Sequence, residues 1–216
     1  MPDAANETDF KDPHCQEEAR GAQWTRSDDG LPPTLEIVPD DDPGNKWHFY
    51  YKHTGGLFYQ RRAEFAPGDR LVRFAAVTDR SGRVLSDADH LNSPWWMNDA
   101  RFVDLWNRAR TAGVGLAEMA RRQLAIPTDW STCELLIVAT PKVLLAAYSG
   151  PGLTAEAKGE RRIIATEAHG LWINQLYVPG LGRKPWLATR PPNIAPNWLR
   201  FERKRPTAQV DKGYIL

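Results

Sequence analysis

The chain has 216 residues, of which 42% are hydrophobic and 10% aromatic, and this composition is ordinary for a globular protein with one principal domain. No apolar run reaches the roughly 20 residues that a bilayer-spanning helix needs, and the first ten residues lack the basic start and apolar middle of a signal peptide. We therefore expect a soluble, cytoplasmic protein without membrane insertion.

Charge is distributed unevenly along the chain. Residues 1–46 contain 12 acidic and 4 basic residues (net −8), which leaves 15 acidic and 24 basic residues (net +9) in residues 47–216. A basic body attracts phosphate-rich partners such as a dinucleotide or RNA. The acidic leader either folds back over that surface or keeps the chain soluble.

Residues 1–33 are rich in polar residues, Pro and Gly and show no sustained periodicity, so we expect an acidic N-terminal segment that forms a mobile arm or, alternatively, an irregular cover. Order is expected from Thr34 onwards. Strand-forming segments follow, separated by turn residues. They are TLEIV (34–38), WHFYYKH (47–53), GLFYQ (56–60) and RLVRFAAV (70–77).

The apolar period then changes from strand to helix. Asn98 is a predicted N-cap, and helical spacing continues from Ala100 to Ala109 before the stop TAGVG. A second helix, LAEMARRQLAI, is predicted to end at Pro127, and strands return after it. These are CELLIVAT (133–140), KVLLAAYS (142–149), RRIIAT (161–166), LWINQLYV (171–178) and WLRFE (198–202).

This order predicts a single α+β domain over residues 34–216, without a βαβ rhythm. We expect antiparallel strands around a split, mostly antiparallel β core with two central helices.

Several common catalytic signatures are absent from the sequence. It contains no GxSxG, HExxH, Walker loop or strand-linked GxGxxG, and its five histidines show no metal-ligand spacing, so we expect no metal. Cys15 and Cys133 are far apart, and Cys133 is expected to be a small buried residue.

Arg73 stands inside the apolar strand LVRFAAV. It can project from the pleat opposite Val72 and Phe74, and its planar guanidinium suits phosphate or carboxylate. The alternative is a rim arginine paired with an acid.

About twenty residues later, SPWWM (93–97) combines a short hydroxyl at Ser93 with the adjacent aromatic residues Trp95 and Trp96. Neighbouring side chains of a strand point to opposite faces, so one tryptophan is expected in the core and the other on a cleft. The alternative places both in the core.

In the late strand, alternation puts Asn174 and Leu176 on one face and Gln175 and Tyr177 on the other. A buried Gln175 needs a hydrogen-bond partner. Either a loop that it ties down or a ligand that it faces would provide that partner.

This order of features resembles the Arg, Ser, Glu pattern of mono-ADP-ribosyltransferases. LVRF (71–74), SPWWM (93–97) followed by helices, and NQLYVPG (174–180) are similar to the cores of bacterial ADP-ribosyltransferase-type toxins of polymorphic and secreted effectors. The resemblance covers about residues 68–203. It implies NAD as a substrate and delivery into a target cell by a secretion system as a possible route.

By this resemblance, Arg73 would hold the NAD phosphates and ribose, Ser93 would shape the nicotinamide pocket, and Trp96 would stack on the nicotinamide ring. Tyr50 and Trp95 would be further pocket walls.

The catalytic position departs from the family, because Gln175 stands where a glutamate is expected. An anion beside the developing ribosyl cation stabilises the transition state more than the ground state, and glutamine brings no charge. Three alternatives follow: activity is weak or altered, Glu167 or Glu160 supplies the carboxylate, or only binding survives.

The leading hypothesis is therefore an NAD-dependent ADP-ribosyltransferase-like toxin or effector domain that modifies a macromolecular acceptor, protein or RNA, and has a cognate immunity or chaperone protein as a further partner. The first alternative is a non-enzymatic module that binds nucleic acid or protein through tryptophans and the basic segment RFERKRP. The second is an immunity or scaffold protein whose acidic leader docks a basic partner.

Overall fold

The computed structural model describes residues 3–26, 37–38, 47–51, 55–153, 155–157, 162–164, 173–182 and 194–210. Seven helices lie within these ranges: α1 (Glu7–Lys11), α2 (Pro13–Ala19), α3 (Asp87–Leu91), α4 (Asp99–Ala112), α5 (Leu116–Leu124), α6 (Ala195–Trp198) and α7 (Thr207–Val210). None of these described helices is both long and apolar enough to cross a membrane.

The same ranges contain twelve strands. They are β1 (Ala22–Arg26), β2 (Ile37–Val38), β3 (Trp47–Tyr51), β4 (Arg61–Phe65), β5 (Leu71–Ala75), β6 (Trp95–Asn98), β7 (Leu135–Pro141), β8 (Leu145–Pro151), β9 (Ala155–Ala157), β10 (Arg162–Ile164), β11 (Asn174–Tyr177) and β12 (Leu199–Pro206).

Seven of the strands form one curled sheet in the order β12-β7-β5-β6-β11-β8-β4, and every neighbouring pair is antiparallel. The remaining strands form a three-stranded sheet, β1-β3-β2, and a two-stranded sheet, β10-β9. The predicted α+β fold with an antiparallel β core is confirmed.

The seven-stranded sheet opens at β6, because this short strand pairs with β5 through one end and with β11 through the other. Its register is Asn98 with Leu71 and Met97 with Val72 on the β5 side, and Trp96 with Leu176 and Trp95 with Tyr177 on the β11 side. Beyond Val72, β5 continues towards Ala75 without pairing to β6. β5 therefore leaves β6 from Arg73 onwards, and β11 pairs with β6 only at Leu176 and Tyr177.

The two central helices form where the sequence predicts them. The Asn98 side chain accepts a hydrogen bond from the Arg101 amide at 2.9 Å, and α4 ends at Gly113 in the left-handed conformation, φ 66°. Helix α5 ends at Ala125, which is also left-handed, two residues before Pro127. The end of α4 therefore follows from capping chemistry that is visible in the sequence, whereas a left-handed alanine at the end of α5 is not a sequence signal.

Alternation along the strands separates two hydrophobic clusters. Leu71, Ala75 and Trp96 belong to one cluster, whereas Val72 and Phe74 belong to the other, which packs under α4 and α5. Each fully buried large apolar side chain contributes about 1.5–3 kcal/mol to the burial term. Arg73 lies between Val72 and Phe74 in the chain and therefore projects from the opposite face of the pleat, as the sequence predicts.

The N-terminal segment differs from the mobile arm that composition predicts. Helices α1 and α2 pack on the large sheet, where the Ala5 amide donates to the Leu144 carbonyl at 2.8 Å and Phe10 stacks on Tyr148 with ring centroids 4.4 Å apart. Cys15 and Ala19 are fully buried. Helices of five and seven residues are too short to show a period, and tertiary packing stabilises them. The predicted onset of order at Thr34 lies outside the described residues.

Other boundaries also differ from the expected ones. The segment predicted as strand GLFYQ contributes only a single bridge, between Leu57 and Gly152, and the strand β4 follows it instead. β4 has the sequence RRAEF, with mostly exposed charged side chains, and lies at the edge of the sheet. Because most of its residues are charged, the apolar pattern of the sequence does not predict this strand, and pairing with β8 stabilises it.

Candidate functional site

A cavity of about 230 Å³ is lined by residues of β5, β6 and β11. Five residues predicted from the sequence line it: Arg73, Ser93, Trp95, Trp96 and Gln175. Its other walls come from the end of α5 and from adjoining loops, and include Leu124, Ile126, Trp130, Gly56 and Leu153. Arg73 and Gln175 both line this cavity, with Arg73 projecting from β5 on the face away from α4 and α5 and the Gln175 side chain bonded to the end of α5. The predicted residues Tyr50, Glu160 and Glu167 have side chains outside the described part of the structure.

The Arg73 guanidinium is a cation without an acidic partner among the described residues. One terminal nitrogen donates to the His90 carbonyl at 2.8 Å, and the buried Nε has no hydrogen-bond partner. Its Cζ lies 5.7 Å from the centroid of the Trp96 ring. Burial lowers the pKa of Arg73 to about 10, so the group remains protonated at neutral pH. An anionic ligand would neutralise this charge and complete its hydrogen bonds.

The two tryptophans divide between core and cleft. Trp96 is only 2% exposed, and its Nε1 donates to the Ser93 carbonyl at 2.7 Å. Trp95 is partly exposed and meets Tyr177 edge to face, with ring centroids 5.1 Å apart. Trp95 therefore presents the more accessible ring to a ligand, whereas the resemblance to ADP-ribosyltransferases implies that Trp96 stacks on the nicotinamide ring.

Gln175 is partly buried on β11, where its Nε2 donates to the Leu124 carbonyl at 3.1 Å. This bond ties β11 to the end of α5. A Cβ added at Gly152 would overlap the Gln175 amide nitrogen, so glycine at this position leaves room for the Gln175 side chain. The amide oxygen of Gln175 has no hydrogen-bond partner among the described residues and can accept a bond from a ligand hydroxyl.

A second cavity of about 710 Å³ adjoins the first. Arg73, Ser93, Trp95, Trp130 and Ser131 line both. We call the two neighbouring cavities together the cleft, the smaller its inner part and the larger its outer part. The outer cavity contains carboxylates that sequence reasoning did not select. They are Glu18, Asp79, Asp89, Asp129 and Glu134.

These carboxylates have different local partners. Arg83 forms ion pairs with Asp79 at 3.0 Å and Asp89 at 2.9 Å. Hydrogen bonds from Ser81 and the adjacent backbone lower the pKa of Asp79, and the Arg83 side chain lowers the pKa of Asp89. Glu134 accepts from the Thr132 hydroxyl at 2.8 Å, and Glu18 accepts from the Tyr177 hydroxyl at 2.6 Å.

His90 lines the outer cavity beside Arg73. It is 2% exposed, and its Nδ1 has no hydrogen-bond partner among the described residues. Burial, followed by the nearby positive charge of Arg73, lowers the pKa of this imidazole. His90 is therefore neutral at pH 7, and the positive charge at this end of the inner cavity comes from Arg73.

In the described ranges, no three His, Cys, Asp or Glu side chains are grouped so that they could hold a metal ion. Cys133 is fully buried, as the sequence predicts, and burial raises the pKa of its thiol to about 11. Comparisons with protein-family models, curated proteins and solved structures find no match to this chain. Its function must therefore be inferred from the chemistry of the cleft.

Proposed function

We propose that the chain is an ADP-ribosyltransferase-like toxin or effector domain that binds NAD in the cleft and transfers ADP-ribose to a macromolecular acceptor. The observation that carries the proposal is the Arg73 guanidinium, a partly buried cation with no acidic partner among the described residues. It lies on the same cavity as Ser93, Trp95 and Gln175. A dinucleotide provides both the anion and the aromatic ring that this set of side chains can bind.

The two parts of the cleft differ in the groups that they can hold. The inner cavity of about 230 Å³ has room for a ring-sized group between Trp95 and Gln175, whereas the outer cavity of about 710 Å³ has room for a larger one. We assign the nicotinamide ring to the inner part. Arg73 lines both cavities and would bind the pyrophosphate where they meet.

The reaction breaks the bond between the ribose C1′ and the nicotinamide nitrogen, and the acceptor then forms a bond to C1′. Because the ribose becomes cationic as nicotinamide leaves, donors and acceptors that are already oriented around it lower the barrier. Gln175 can accept a hydrogen bond from a ribose hydroxyl through its amide oxygen and so orient the sugar. It supplies no charge, so the electrostatic part of the stabilisation has to come from another group.

Nicotinamide release tests the proposal directly. The purified protein is expected to release nicotinamide from NAD and, when lysate is added, to transfer label from NAD labelled in the adenylate half to a macromolecule. Sensitivity of the product to protease or to ribonuclease identifies the acceptor as protein or RNA. If a protein shown to be folded by circular dichroism gives neither nicotinamide nor labelled product, the catalytic proposal is wrong.

A non-enzymatic nucleic-acid-binding module is the second candidate, and a basic cavity of about 210 Å³ at the β12 edge favours it. Arg70, Arg200 and Arg203 line this cavity together with Glu202. Glu202 pairs with Arg200 at 2.6 Å, while Arg203 forms no ion pair with any described residue. Such a cluster suits the phosphates of a single strand.

Single-stranded RNA binding measured by fluorescence anisotropy at several salt concentrations tests this candidate. Replacing Arg70 and Arg203 together with glutamine is expected to weaken binding and to reduce the slope of log K against log salt by about 1.4 for two phosphate contacts. Arg61→Gln, at an exposed position on β4, is the matched control. An unchanged slope in the double variant would exclude this surface, and RNA binding that is insensitive to excess NAD separates it from the cleft.

A further inference from the structure

Glu18 reaches the cleft from the N-terminal segment, far in sequence from the other cleft residues. Its Oε2 accepts a hydrogen bond from the Tyr177 hydroxyl at 2.6 Å. Tyr177 follows Gln175 by two residues on β11, so the two side chains leave the same face of the strand about 7 Å apart. Tyr177 also contacts Trp95 edge to face, and Glu18 lines the outer cavity with Trp95 and Arg73.

The backbone around Glu18 is fixed by packing. On one side of it the Cys15 side chain is fully buried, and on the other the Ala19 side chain is fully buried while its carbonyl accepts from the Leu57 amide at 2.8 Å. The Asp12 side chain accepts from the His14 amide at 2.9 Å and so caps the start of α2. Helix α2 therefore presents the Glu18 carboxylate from a fixed position, as electrostatic stabilisation of a transition state requires.

Three other acidic side chains of the outer cavity are bonded to groups outside β11. Asp79 and Asp89 share an ion pair with Arg83, at 3.0 Å and 2.9 Å. Glu134 is bonded to Thr132 at 2.8 Å, at the start of β7. Glu18 is the carboxylate that is hydrogen-bonded to β11, the strand on which Gln175 stands.

We propose that Glu18, presented by α2 and oriented by Tyr177, supplies the carboxylate that stabilises the ribosyl cation when nicotinamide leaves. The inference rests on the proposed NAD reaction and names a catalytic residue for it. The C1′–N bond breaks with its electron pair going to nicotinamide, which departs neutral. The acceptor nucleophile, or water in the hydrolytic reaction, then bonds to C1′ and releases its proton to solvent, while Glu18 remains unmodified.

Nicotinamide release and NAD affinity, measured separately, test this role. Glu18→Gln is expected to lower kcat for NAD hydrolysis about 100-fold, since loss of one preorganised electrostatic contact costs roughly that much, and to change the Kd for NAD less than about threefold. Glu17→Gln is the matched control, because Glu17 is the adjacent residue of α2 and pairs with Arg20 at 2.8 Å. This control is expected to retain the wild-type kcat.

Two further variants separate catalysis from folding. Glu18→Asp keeps the charge and is expected to restore part of kcat, and Tyr177→Phe, which removes only the orienting hydroxyl, is expected to lower kcat less than Glu18→Gln does. Thermal melting of each variant checks that it is folded. A Glu18→Gln protein as active as the wild type would overturn this inference alone, as would a loss of NAD affinity equal to the loss of rate. A wild-type protein that releases no nicotinamide would overturn the NAD proposal and this inference with it.

Discussion

Replacing Arg73 with methionine is expected to weaken NAD binding about 100-fold without lowering the melting temperature. Hydrogen bonds to a charged group contribute about 1.5–3 kcal/mol each, and two of them to a pyrophosphate account for the lost affinity. The free protein, in contrast, loses the bond to the His90 carbonyl and the contact of the guanidinium with the Trp96 ring, and is relieved of a charge that has no acidic partner among the described residues. Methionine also fills most of the vacated volume.

Quenching of tryptophan fluorescence by NAD measures the affinity, since Trp95 and Trp96 line the same cavity as Arg73. Arg73→Lys is expected to recover only part of the affinity, because an ammonium keeps the charge but lacks the planar fork. Arg70→Met is the control, as Arg70 immediately precedes the same strand and its guanidinium lies 3.8 Å from Asp99, 48% exposed. If Arg73→Met bound NAD normally but melted far below the wild type, Arg73 would have a structural role only.

The inner part of the cleft is the part that the sequence could predict. Arg73, Ser93, the tryptophan pair and Gln175 were selected from strand alternation and from their order along the chain, and the structure places all of them on one cavity. Their convergence depends on β6, which lies between β5 and β11 in the sheet. Alternation predicted one tryptophan in the core, and Trp96 is buried accordingly.

The outer part of the cleft could not be predicted in the same way. Its carboxylates come from α2, α3 and loops, so no single stretch of sequence groups Glu18 with Asp89 and Glu134. The capping box of α3, in which the Ser86 hydroxyl accepts from the Asp89 amide, is a local sequence pattern that indicates the start of a helix. The position of this helix beside Arg73 follows only from tertiary packing.

Composition does not predict the structure of the acidic N-terminal segment, residues 1–33. Its high charge and lack of a period predict a mobile arm, yet residues 3–21 contain helices that are packed on the sheet. Part of the charge is used in specific pairs, such as Glu7 with Arg62 at 2.7 Å, which holds the pKa of Glu7 down to about 2. Cys15 and Ala19 have the i, i+4 spacing of one helix face, but two buried residues are too few to mark a helix in the sequence.

Asn6→Ala is expected to be the most destabilising polar substitution in this segment, at a cost of about 3 kcal/mol. The side chain is 1% exposed, and its Nδ2 donates to the Ala146 carbonyl at 2.8 Å and the Pro179 carbonyl at 2.9 Å. Its Oδ1 accepts from the Ala146 amide at 2.8 Å. Alanine would leave three buried backbone groups without a partner, and each such group costs about 1–3 kcal/mol before relaxation.

Urea unfolding followed by circular dichroism measures this cost. Asn98→Ala is the matched control, because it removes one cap hydrogen bond near the surface of α4 and is expected to cost about 1 kcal/mol. Asn6→Asp is expected to be at least as harmful as Asn6→Ala, since it sets a carboxylate oxygen against the two carbonyls that the amide nitrogen satisfied. If Asn6→Ala were no more costly than Asn98→Ala, the N-terminal helices would add little to the stability of the fold, and α2 would not be a firm support for Glu18.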